Sequence, residues 1–354
     1  MLKEKVIDTH WHVEAWENDK GDSYIDYLEQ YRQEEGLSAV NIAALPSGEE
    51  RNVSNNIMLA FYKLANKNSF AHGGLVYPSY PAPDPMPVGM DFVTQYKELM
   101  EIGFDGIKML EGKPSLHKLV GKDLSCDLFD SFFAELEKDK THLLFHVNDP
   151  EEFWDINKAP KDAIENGWFY GNGDYASNEE VYNQINRILA KHPNLNVNFA
   201  HFFFYSFNPC KLEEIFAKYP NVGVDLTPGW EMYRAFDESR EYYMDFFVKY
   251  SQRIQLGTDT AFPWPKEDYA WLLDRVYRYI ATDDEFEGFG KVHKGMKLPK
   301  EELENILYKN FERTVSSEPK TINKEALKKY IEKYDFLMTE NDRIHIKALS
   351  EKYL

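Results

Sequence analysis

The sequence predicts an α/β protein, a (β/α)8 TIM barrel with extra C-terminal helices. Strand-like apolar segments alternate with amphipathic helical stretches along most of the 354 residues, which implies parallel strands joined by right-handed crossovers. Eight such units follow one another at intervals of roughly thirty residues, the length of one βα repeat. The turn after the first strand reads HWHVEAWEN, with no glycine until Gly21. A doubly wound open sheet would normally carry a glycine-rich phosphate turn there.

The strands expected in order are Val6–His12, Ala39–Leu45, Gly73–Pro78, Gly106–Leu110, Leu143–Val147, Val197–Phe203, Val222–Leu226 and Ile254–Thr258. Helical spacing of apolar residues marks Tyr24–Glu35, Ser54–Asn66, Phe92–Ile102, Leu128–Lys138, Glu179–Lys191, Lys211–Lys218, Glu238–Tyr250 and Asp268–Ile280. The rhythm breaks once, after the fifth strand, where Asp149–Ser177 is inserted with a mixture of aromatics, Asn, Gly and Asp. A loop after a barrel strand lies on the catalytic face, so this insert is a candidate lid. Leu298–Thr314 reads as a further helix, and Thr321–Leu354 as one or two more. The expected division is a barrel over 1–316 and a helical appendage over 317–354.

With 41 Lys+Arg against 60 Asp+Glu the formal charge is −19. Such a surface repels phosphate backbones and anionic lipid, which argues against nucleic-acid and membrane partners. No uncharged apolar run approaches the ~18 residues of a membrane helix. Two cysteines, Cys126 and Cys210, make no disulfide framework, and no signal-peptide pattern opens the chain, so the expected location is the cytoplasm.

Ligand-type side chains gather at the strand ends. The first strand holds His10-Trp11-His12, whose two imidazoles point the same way, with Asp8 one step below. The fourth reads GIKML with Lys108, the fifth LLFHVND with His146, the sixth NVNFAHFFF with His201, and the eighth IQLGTDT with Asp259. Each alone also fits a packed, paired or capping role. Together they stand where a barrel converges side chains on one point, and neutral imidazoles with a carboxylate suit Zn²⁺ or a similar divalent ion.

The ordered set IDTHWH, GIKML, FHVND, FAHFFF and GTD resembles the amidohydrolase superfamily, and amidohydrolase family 2 within it. The resemblance runs from Val6 to about Thr314. It implies His10, His12, His146 and Asp259 as ligands of one divalent metal, Zn before Mn or Fe, with Asp259 and His201 as the catalytic pair. Lys108 matches the position of a bridging carboxylated lysine in two-metal relatives, so a second ion on Lys108 and His201 is the alternative to the favoured single ion. The resemblance also implies a homodimer.

The leading expectation is a metal-dependent hydrolase that cleaves an amide, lactone or ester bond of a small molecule with metal-activated water. A non-oxidative decarboxylase of an aromatic or unsaturated acid uses the same groups, and a non-catalytic barrel with a structural metal is the third reading. Trp11, Tyr205 and Trp230 fall in aromatic loop segments suited to a planar ligand. Arg51, Glu111, Lys113 and Arg234 follow strands on the same face as candidate substrate contacts, the cations as carboxylate clamps.

Overall fold

The computed structural model describes residues 2, 4–13, 21–45, 52–229, 231–262 and 264–354. Its strands are β1 (Ile7–Val13), β2 (Ala39–Ala43), β3 (Ser69–Gly73), β4 (Gly106–Gly112), β5 (His142–Val147), β6 (Val197–Phe199), β7 (Val222–Asp225), β8 (Ile254–Gln255) and β9 (Thr260–Phe262). They pair in parallel in the order β8-β7-β6-β5-β4-β3-β2-β1-β9. The two ends of that order are halves of a single interrupted strand. Between them the backbone N–H of Thr9 donates to Leu256 O at 3.1 Å, and that of Asp259 to His10 O at 2.8 Å. Asp8 adds a side-chain tie, accepting from Thr258 Oγ1 at 2.7 Å. The sheet therefore closes on itself, and the barrel has no free edge.

Helices α1 (Gly21–Glu35), α2 (Asn52–Ala65), α3 (Phe92–Ile102), α4 (Pro114–Val120) and α5 (Asp127–Asp139) accompany the first half of the barrel. The second half carries α6 (Lys161–Glu165), α7 (Asn178–Lys191), α8 (Pro209–Lys218), α9 (Met232–Glu238), α10 (Arg240–Lys249) and α11 (Lys266–Ala281). A hairpin, β10 (Glu285–Gly288) with β11 (Lys291–Lys294), precedes α12 (Lys300–Glu304), which runs through a π-turn into α13 (Asn310–Thr314). Finally α14 (Lys324–Tyr334) packs on α3 and α2, and α15 (Glu340–Tyr353) on α2. Asn56 of α2 donates to Tyr330 OH of α14 at 3.0 Å, which binds this last pair to the barrel wall. None of the described helices is long and apolar enough to cross a membrane.

Three strand expectations need correction. The third strand is Ser69–Gly73, not Gly73–Pro78. The apolar signal of Leu75 and Val76 comes from a segment that is buried without pairing in the sheet. The sixth strand stops at Phe199, because His201, Phe202, Phe203 and Phe204 all take left-handed conformations, with φ of 56°, 55°, 58° and 51°. The eighth strand is cut in two by the same device at Asp259, φ 59°. Left-handed backbone costs L-residues roughly 1–2 kcal/mol each. Such strain is typically found at functional sites, where the surrounding fold holds it in place.

Candidate active site

Strand alternation decides what β1 contributes. Positions 8, 10 and 12 face the barrel axis, and so Trp11 faces outward. It is fully buried, stacked on Tyr269 of α11 with ring centroids 4.4 Å apart and edge-on to Tyr31 of α1 at 5.2 Å. Trp11 thus packs helices onto the barrel and is not among the described residues that line the cavity over the strand ends. The same alternation on β4 points Lys108 inward and turns Glu111 away, where Glu111 accepts from Tyr77 OH at 3.0 Å and from the Leu110 N–H at 2.9 Å. Burial pushes the Glu111 carboxyl up to about 7.

Each imidazole of the HxH pair is oriented by an acceptor behind it. His10 Nδ1 donates to Asp225 Oδ2 at 2.9 Å, and His12 Nδ1 to Ala43 O at 2.9 Å. With the proton on Nδ1, each Nε2 offers a lone pair to the barrel mouth. The two Nε2 atoms are 3.1 Å apart, and Asp259 Oδ1 lies 3.0 Å from His12 Nε2 and 3.3 Å from His10 Nε2. Among the described residues His10, His12 and Asp259 are the one group of this kind, their ligand atoms all within 4.8 Å of one another. Three acceptor atoms this close repel unless a positive charge sits among them. The donor set and its crowding fit a divalent cation.

Lys108 Nζ approaches the same point, 2.8 Å from His10 Nε2. Burial, then Lys108, pushes His10 down to about 4, and burial pushes Lys108 down to about 8 against the pull of Asp259 and Asp225. Burial also opposes ionisation of Asp259, but His10, His12 and His201 outweigh it and hold that carboxyl well below its usual range. Gly257 makes room for the arrangement, since a Cβ there would meet His10 Cβ at 2.8 Å.

His201 opens the left-handed turn, and its backbone N–H donates to Asp225 Oδ1 at 2.8 Å. Its Nδ1 faces Thr227 O at 3.3 Å, and its Nε2 lies 3.7 Å from Asp259 Oδ2. His146 meets the His201 ring edge-on at 4.8 Å. It stands beside the three-residue group and not within it, because its Nε2 is directed to Asn148 O at 2.8 Å and Asp149 Oδ1 at 3.3 Å. Asp225, which sequence reading overlooked, is the hub. The only sign of it is a carboxylate ending a barrel strand, in VGVDLTP.

Over the cluster opens a cavity of about 530 Å³, lined by His12, His201 and Asp259 below and by Leu110, Phe153 and Trp168 above. Asp259, at 34% side-chain exposure, is the most open member of the cluster. Lys113 reaches this cavity, paired with Asp149 at 2.8 Å and held 5.0 Å over the Trp168 ring. The insert after β5 forms one wall through Asp149, Pro150, Phe153 and Trp168, and carries its own small core of Phe153, Ala163 and Tyr170. Tyr205 is not at the cluster. It stacks on Tyr182 at 4.4 Å and lines a neighbouring polar cavity of about 990 Å³, which shares only Pro150 and Phe204 with the first. Arg234 is a surface residue paired with Glu152 at 3.3 Å. Arg51 and Trp230 lie outside the described residues.

Residues 7–315 match the family model described as amidohydrolase. No curated protein matches the chain. Among solved structures, a putative amidohydrolase from Staphylococcus aureus is 16% identical with a TM-score of 0.55, over 88% of this chain and 99% of that one. A 4-oxalomesaconate hydratase from Rhodopseudomonas palustris is 13% identical with a TM-score of 0.54, over 94% and 99%. A 2,6-dihydroxybenzoate decarboxylase from Rhizobium is 11% identical with a TM-score of 0.52, over 88% and 98%. At these identities the likeness establishes the fold alone.

Proposed function

The chain belongs to the amidohydrolase family of metal-dependent enzymes acting on small molecules, and from that premise we propose that it is a hydrolase of an amide, lactone or ester bond. The observation that carries this reading is the split duty of Asp259. One oxygen lies with the Nε2 atoms of His10 and His12, and the other faces His201 and the cavity. His10, His12 and Asp259 would hold the cation, one ion being favoured and Zn before Mn or Fe; His146, the further ligand implied by the sequence resemblance, would have to leave its contact with Asn148 O to join them. A bound cation supplies Lewis-acid polarisation of a substrate carbonyl and lowers the pKa of water toward ~7.

The protein's own groups supply the proton handling. Asp259 Oδ2 accepts a proton from the attacking water and delivers it to the leaving group. His201 has its Nδ1 turned to Thr227 O and its Nε2 toward Asp259 Oδ2, and burial keeps the ring neutral, pushing it down to about 4. It would share the proton that Asp259 takes from water before the leaving group receives it, and while it holds that proton it stabilises developing negative charge on the substrate oxygen. Phe153, Trp168 and Phe204 exclude water and favour a planar substrate, and the Lys113 ammonium offers a counter-charge for a carboxylate.

The aromatic lining favours a second reading. A carboxylate held in an apolar, aromatic cavity is poorly solvated, which promotes loss of CO₂, so the same site suits a non-oxidative decarboxylase. The reactions separate by product: incubation with a panel of lactones, aryl amides and hydroxybenzoates should release acid or amine without CO₂. Stoichiometric CO₂ from an aromatic acid, with no hydrolysis, overturns the hydrolase reading in favour of the second.

A further inference from the structure

At the opposite end of the barrel, where β5 to β8 begin, a polar cavity of about 220 Å³ lies between the strands and α13. Three side chains on its wall are almost wholly buried and hold polar atoms without a partner. They are His142 at 3% exposure, Asn198 at 1% and Asn310 at 1%. The unpartnered atoms are His142 Nε2, both amide atoms of Asn198, and Asn310 Oδ1. Buried polar groups are paired in the great majority of cases, since an unmade hydrogen bond costs roughly 1–3 kcal/mol. Four such atoms around one cavity therefore describe a complementary guest.

Hydrogen-bond directions fix what the guest must offer. Asn41 Nδ2 donates to Thr9 O, which leaves its Oδ1 to accept from His72 Nδ1 at 2.6 Å. His72 Nε2 then accepts from His142 Nδ1 at 2.8 Å, and His142 presents a bare Nε2 to the cavity. Burial keeps that ring neutral, pushing it down to about 3. Asn310 spends its amide protons on Ser251 O and Ile254 O at 2.7 and 2.6 Å, so only its oxygen is free. The inner wall thus holds three acceptors, His142 Nε2, Asn198 Oδ1 and Asn310 Oδ1, against the single NH₂ of Asn198.

The rim has the opposite character. Arg253 and Arg313 line the same cavity, near enough that Arg313 depresses the pKa of Arg253 after burial has done so. Their hydrogen bonds run to backbone carbonyls, Arg253 to Val222 O at 2.7 Å and Arg313 to Gln252 O. Among the described residues no Asp or Glu lines the cavity, in a chain of net charge −19.

We infer that this cavity binds a small hydroxycarboxylic acid, its carboxylate on Arg253 and Arg313 and its hydroxyl accepting from the Asn198 amide while donating to one of the acceptors of His142 and Asn310. Isothermal titration of the purified full chain with L-malate, succinate and inorganic phosphate tests it. Saturable malate binding at least ten-fold tighter than succinate, weakened ten-fold or more in Arg313→Gln, is expected. Asn198→Leu should reduce malate to the level of succinate. Arg313 is an exposed side chain, so its variant reads binding even if Asn198→Leu fails to fold. Malate affinity unchanged in Arg313→Gln overturns the site, as does the absence of saturable binding by all three compounds, the result for a cavity that holds only water. Phosphate binding as tightly as malate, with the same dependence on Arg313, overturns the hydroxy-acid class. Asp259→Asn should bind malate like wild type, and loss of binding there would place the anion in the catalytic cavity instead.

Discussion

Asp225 and His10 form a buried pair, Oδ2 to Nδ1 at 2.9 Å, and the other oxygen of the same carboxylate holds the backbone of His201 at 2.8 Å. One side chain on β7 thereby sets the tautomer of a candidate ligand and the position of a candidate catalytic residue. Burial works against its ionisation, but the bonds from His10 and Thr227 prevail and keep the carboxyl below its usual range.

Substituting Asp225→Asn removes the charge that fixes the His10 proton on Nδ1. Metal affinity should fall about 10–100-fold, the usual cost of losing such an outer partner. Competition with a metal chelator measures it, and an unchanged affinity would show that His10 is not a ligand.

His12→Ala and His201→Ala should separate metal retention from turnover. The first is expected to lose the ion during purification. The second should keep it while turnover drops roughly 10²–10⁴-fold, the range for a missing acid–base group. Metal content by mass spectrometry, alongside steady-state rates, reads both, and equal metal loss in the two variants refutes the division of roles.

Glu111 offers a pH test away from the cluster. Its ordinary value is 4.5 and burial raises it to about 7, so the unfolded chain ionises first as pH rises. The stability this group contributes is complete below about 4.5 and is lost as pH climbs through 7. Glu111→Gln mimics the protonated form, so it should melt like wild type at pH 4.5 and higher than wild type at pH 8. A Tm difference independent of pH contradicts the assignment.

Lys113 and Asp149 are 17% and 5% exposed, a pair mostly removed from water. Lys113→Met leaves the Asp149 charge buried and uncompensated, and should destabilise the fold by roughly 3–5 kcal/mol. Adding Asp149→Asn should restore most of the loss. Denaturant titration of the three variants closes the cycle, and additive effects would mean that the pair is not coupled.

Much of the architecture was open to reading because it depends on periodicity. Apolar alternation and helical spacing survive in any window of the chain, and the convergence of strand ends in a barrel brings His10, His12 and Asp259 near one another whatever their separation in sequence. The outward direction of Trp11 was legible as well, since the alternation that turns His10 and His12 inward sends the residue between them out. The aromatic signal alone had suggested a ligand contact. Tyr205 is a different case. Its place in the neighbouring cavity follows from four consecutive left-handed residues, three of them Phe, for which propensity gives no such preference.

What the sequence determined by itself was the order of elements and the residue types at their ends, because local pattern and chain connectivity are properties of the sequence. The tertiary structure alone decided the hub at Asp225, the break in the last strand at Asp259, the diversion of His146 toward Asn148 and the unpaired polar wall around Asn198. Each of these rests on hydrogen bonds, or on the want of one, among groups the chain brings together only on closing. A residue's neighbours across the barrel leave no periodic trace along it.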